Sequence, residues 1–73
     1  MLVSYKKLWH KLLDANMKKK DLQKEAGLTG YAMNKLSRNE NVSTEILAKI
    51  CNVLNCTADD IMEFLPEKDN QEI

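Results

Sequence analysis

The chain has little that breaks a helix and little that does chemistry: one proline, two glycines, two cysteines and one histidine in 73 residues. So few breakers argue against a strand-and-turn architecture and for an all-α one. No apolar run approaches the roughly 18 residues that a membrane-crossing helix needs. The opening MLVSYKKL lacks the charged segment, long apolar core and cleavage site of a secretory signal, so no membrane is implied and a cytoplasmic location is expected. Cys51 and Cys56 form no C-x2-C pair, and with His10 they fall short of the four ligands of a structural zinc. No metal or other cofactor is expected. Cys51 is expected as a buried free thiol and Cys56 as an unpaired turn residue, a disulfide being disfavoured in a reducing cytoplasm. There is no G-x-x-x-x-G-K-S/T loop for a nucleotide, and no Ser, Cys or carboxylate makes a plausible triad with His10. Enzymatic activity has nothing to stand on, and no small-molecule ligand is evident. At this length one domain is expected, burying only about 60% of its unfolded surface around a small core.

Net charge is also lacking, but only in total. Through Asn41 there are nine Lys or Arg against four acids, and from Val42 onward two Lys against seven acids. The two halves carry +5 and −5. A basic half can anchor on phosphates while an acidic half faces away.

Apolar spacing supplies five expected helices. Ser4 offers an N-cap for a first helix from about Tyr5 to Ala15, with Tyr5, Leu8, Trp9, Leu12 and Leu13 on one stripe. Asn16 is a plausible left-handed stop that drops Met17 onto the core. A second helix runs from Lys18 or Lys19 to Ala26, burying Leu22 and Ala26, and Gly27 ends it because glycine accepts positive φ without steric cost. Leu28 plugs the angle, Thr29 caps the next helix, and that helix runs from about Gly30 to Arg38, burying Met33 and Leu36. The loop NENV leads to Ser43 as the cap of a fourth helix, about Thr44 to Leu54, with Ile46, Leu47, Ile50, Cys51 and Leu54 inward. Thr57 and Asp60 resemble a capping box for a fifth helix, about Ala58 to Phe64, which Pro66 stops. The domain is expected to span 1–65, with a flexible polar tail at 66–73.

Two short helices crossed about a glycine turn over Met17 to Asn39 make a helix-turn-helix signature, and a helix held proud of a surface fits the major groove of B-DNA. Lys35 has the chemistry for guanine O6 and N7, Asn34 for adenine, and Tyr31 for a thymine methyl or a phosphate. The lysine run Lys18, Lys19 and Lys20 sits at a helix N-terminus, where positive charge opposes the helix dipole and an anion would relieve the conflict. Arg38 and the polar loop through Asn41 would hold the other side of the groove.

The string DLQKEAGLTGYAMNKLSRNENVSTEILAKICNVLNCTADDIMEF, with LW and LL ahead of it, resembles the Cro/C1-type helix-turn-helix family of phage-repressor-like (XRE) transcriptional regulators over about residues 5 to 65. The resemblance implies a five-helix, lambda-repressor-like DNA-binding domain whose helix 30–38 enters the major groove of operator DNA. It places Gly30, Tyr31, Asn34 and Lys35 at bases, and Lys18, Lys19, Lys20, Thr29, Arg38, Asn39 and Asn41 at phosphates. Two positions depart from the family's habit. Gly30 stands where a polar side chain, commonly Gln, is usual, and Asn39 stands where Gly is common.

The function so implied is a sequence-specific transcriptional regulator, a repressor acting by operator occupancy, with double-stranded DNA as partner. One module makes few base contacts, so a homodimer on a palindrome is expected, with Phe64, Leu65, Leu2 and Val3 as the apolar residues available to it. The alternative is a protein-interaction module on the same scaffold, an antitoxin or accessory subunit, to which zero net charge and Gly30 lend some weight.

Overall fold

The computed structural model describes residues 1–66. The elements in order are β1 (Leu2–Ser4), α1 (Lys6–Asp14), α2 (Lys19–Ala26), α3 (Gly30–Ser37), α4 (Thr44–Leu54), a single 3-10 turn (Ala58–Asp60) and β2 (Glu63–Leu65). Four helices thus fall where the apolar stripes predict them. Each contributes to one core: Leu8 from α1, Leu22 from α2, Leu36 from α3, Ile50 from α4 and Ile61 after the 3-10 turn are all fully buried, with Tyr5 beside them. Thr29 and Ser43 cap α3 and α4 as expected, their hydroxyls accepting from the Ala32 and Ile46 N–H groups at 3.1 and 3.3 Å. The stripe of α1 is narrower than its spacing suggests, because Leu13 is 74% exposed.

All four helices stop in the same way. Asn16, Gly27, Asn39 and Asn55 each take positive φ, between 54° and 67°. In each case the next residue's N–H donates to the carbonyl five positions back: Met17 to Leu12, Leu28 to Gln23, Glu40 to Lys35 and Cys56 to Cys51, at 2.9–3.1 Å. This is the Schellman motif, and it satisfies carbonyls that a helix end would leave unpaired.

The fifth helix is not formed. Asp60 closes back on Thr57, whose N–H donates to Asp60 Oδ2 at 3.1 Å, but the box caps only the 3-10 turn. The chain then extends and pairs antiparallel with β1 in the register Leu2 with Leu65, Val3 with Phe64 and Ser4 with Glu63. One local and one long-range cause explain the difference. Leu65 precedes Pro66 and is biased away from helical backbone, and residues 2–4 take this segment as their strand partner. Ser4, expected as the cap of α1, lies in β1, yet its hydroxyl still accepts from Lys6 N–H at 3.3 Å, while Tyr5 takes the cap position itself. The polar tail expected at 66–73 lies, apart from Pro66, outside the described residues.

Candidate nucleic-acid interface

The short turn between α2 and α3 fixes how α3 is held. Gly27, at φ 67°, ends α2 in the left-handed conformation, and Leu28 is buried in the angle. Helix α3 then buries Ala32, Met33 and Leu36 and turns its other face outward. Gly30, Tyr31 and Asn34 are exposed on that face, Tyr31 at 72%, and Lys35 is half-buried. Lys35 Nζ lies 5.3 Å from the centre of the Tyr31 ring one turn back, so the cation and the ring form one outward cluster. Gly30 has open space around the position its Cβ would occupy. The first turn of α3 is therefore flat, and a ligand can approach its backbone N–H groups closely.

The start of α2 is cationic, with Lys18, Lys19 and Lys20 all exposed. Two interactions there were not legible from the lysine run alone. Asp21 Oδ2 accepts from the Lys18 N–H at 2.9 Å, so a carboxylate already offsets part of the conflict with the helix dipole. Lys19 Nζ sits 4.4 Å from the centre of the half-buried Trp9 ring, which ties the lysine to α1 and aims its charge.

Beyond α3, Arg38, Asn39 and Asn41 are exposed in the loop. Asn39 takes φ 58°, and its Oδ1 turns back to accept from the Tyr5 N–H at 3.1 Å. The Tyr5 hydroxyl donates to the Glu40 carbonyl at 2.7 Å, and burial pushes this phenol's pKa up, with a backbone hydrogen bond at Val42 acting the other way. The loop after α3 is thus anchored to the start of α1 by two hydrogen bonds across more than thirty residues. No local pattern announces such a pair; a tyrosine at the head of an amphipathic stripe reads only as core.

Charge is redistributed by the fold. Lys7 Nζ donates to the Asp59 carbonyl at 3.3 Å and lies 4.0 Å from Glu63 Oε1. Asp60 is held below the usual carboxyl range, first by the Thr57 N–H, with Lys11 and Lys7 adding to it. Lys7 of α1 therefore contacts the acidic C-terminal segment, and Lys11 acts on Asp60 there. Lys18, Lys19 and Lys20 at the start of α2 and Arg38 beyond α3 are exposed. Among the described residues no group of three or more His, Cys, Asp or Glu is placed to hold a metal, and no helix is long and apolar enough to cross a membrane.

An outward helix with a buried back, capped by threonine and set by a glycine turn against a second short helix, defines a helix-turn-helix. The sequence matches the Cro/C1-type HTH DNA-binding domain over residues 7–67, and the chain belongs to that family. It is similar to the transcriptional regulator VanUg, whose crystal structure (Form II) is 48% identical, covers 90% of this chain with 88% of its own, and superposes with a TM-score of 0.88. No curated protein matches it significantly.

Proposed function

We propose that the chain is a sequence-specific transcriptional regulator, a repressor that blocks an operator by inserting α3 into the major groove as a cytoplasmic homodimer. The observation that carries this is the outward face of α3, with Tyr31 and Lys35 clustered on it, between the cationic start of α2 and Arg38. In this arrangement Gly30, Tyr31, Asn34 and Lys35 meet base edges, while Lys18, Lys19, Lys20, Thr29, Arg38, Asn39 and Asn41 meet the backbone. Gly30 reads no base with a side chain; it admits the duplex to the backbone of α3. The likeness to VanUg, a transcriptional regulator, supports the regulatory role.

Dimerisation is assigned to the small sheet. Leu2, Phe64 and Leu65 are exposed there together, at 55%, 60% and 42%, whereas Val3, also expected at this contact, is buried in the core. A two-stranded sheet is marginal by itself and gains from an added strand or cover. The zero net charge that favours a protein-interaction module carries less weight than local sign, since Lys18, Lys19 and Lys20 are all exposed at the start of α2.

The test is affinity for mixed duplex across a salt series. With Lys18, Lys19, Lys20 and Arg38 on phosphates, log K should fall against log salt with a slope of about −3.6 per copy, or about −7 for a dimer. Lys20→Ala should weaken all sequences alike and flatten that slope by about 1 per copy, or about 2 for the dimer, and Lys35→Ala should also change preference between sequences. Absence of binding at low salt removes the proposal.

A further inference from the structure

The stop of α4 differs from the other three in what it brings together. In a Schellman motif the residue that supplies the carbonyl and the residue that supplies the N–H are drawn side by side, and their side chains commonly touch. At α1 those residues are Leu12 and Met17; at α4 they are Cys51 and Cys56. The Cys56 N–H donates to the Cys51 carbonyl at 3.1 Å. Standard bond lengths then hold the two Cα atoms within about 7 Å, and closer once the bends at O and N are counted. A disulfide spans Cα atoms about 4.4–6.8 Å apart.

Both thiols are free and half-buried, and both open on the same pocket of about 310 Å³, shared with Thr44, Leu47 and Ala48. Burial pushes the Cys51 thiol's pKa up most, and neighbouring Cys56 raises it further, with a smaller contribution from Asp60. Nothing in the DNA-facing surface uses them.

We propose that Cys51 and Cys56 form a thiol–disulfide modification site, a resting dithiol that closes to an intramolecular disulfide by exchange with a low-molecular-weight disulfide. One cysteine thiolate attacks a sulfur of the small disulfide, forming a mixed disulfide and releasing one small thiolate, which takes up a proton. The second cysteine, as thiolate, then attacks the protein sulfur of that mixed disulfide, forming the internal S–S bond and expelling the second small thiolate. The protein loses two protons and two electrons, the small disulfide takes them up to become two thiols, and excess small thiol reverses the sequence. The bond ties the end of α4 to the segment that leads through the 3-10 turn to β2. The oxidised chain therefore holds that connection more firmly.

The test is treatment of the full chain with oxidised glutathione, then alkylation and intact-mass measurement. The expected product has lost two hydrogens and both alkylatable thiols, at a rate independent of protein concentration and slower in urea, where the α4 stop is dissolved. Cys51→Ser and Cys56→Ser should each halt at a single glutathione adduct. The proposal is overturned if the wild-type chain stops at mixed disulfides, cross-links between copies, keeps both thiols alkylatable, or closes equally fast in urea.

Discussion

Tyr5 links three parts of the molecule at once. Its ring is in the core, its N–H holds Asn39, and its hydroxyl holds Glu40, so the first residue of the α1 stripe also sets the loop beyond α3. Tyr5→Phe keeps the ring and removes one hydrogen bond, which should cost about 1 kcal/mol in urea unfolding and speed amide exchange in residues 38–42. The pH dependence follows with its sign. A folded phenol with a raised pKa contributes stability that is fully present below the ordinary tyrosine range and is lost as pH rises through the raised value. The alkaline loss of stability should therefore be shallower in Tyr5→Phe than in the wild type. Asn39 also gains an explanation here. Glycine would serve its backbone angle, but only a side chain with an acceptor reaches the Tyr5 N–H.

The two glycines of the chain should respond oppositely at the scale of the helices they border. Gly27→Ala places a Cβ at φ 67° and should destabilise by about 1–2 kcal/mol. Gly30→Ala, inside α3 with open space around it, should stabilise by about 0.5–1 kcal/mol in thermal or urea unfolding. What made α1 to α4 legible from the residues was agreement between stripe, cap and stop: Leu22 and Ala26 before Gly27, Thr29 before Met33 and Leu36, Ser43 before Ile50. The segment 58–65 misled because a capping box and two acids look the same ahead of one turn as ahead of several. Its fate was decided by Leu2–Ser4, some sixty residues away in sequence. The outward position of Tyr31 could be read from periodicity, whereas the Asn39 to Tyr5 bond and the Lys19 to Trp9 contact depend on tertiary placement that no window contains.

For the whole molecule, the run of exposed lysines and the exposed apolar residues of the sheet sit on different elements. Leu2, Phe64 and Leu65 lie on the sheet, and Lys18, Lys19 and Lys20 are exposed at the start of α2. Phe64→Asp should leave the helical content intact, since the ring contributes little to the core at 60% exposure. If the proposed homodimer forms through the sheet, the substitution should shift sedimentation to the monomer and weaken binding to a palindrome far more than to a half-site. A dimer that persists in this variant would move the contact elsewhere.

The two left-handed residues that bracket α3, Gly27 and Asn39, are each locked by hydrogen bonds to a neighbouring carbonyl or amide. If α3 enters the groove as proposed, a helix clamped at both ends is a stamp rather than a mould. Little ordering remains for it to undergo at the moment of docking, so misfit falls on the duplex, and the sites it prefers should be those whose own base steps bend most cheaply toward it.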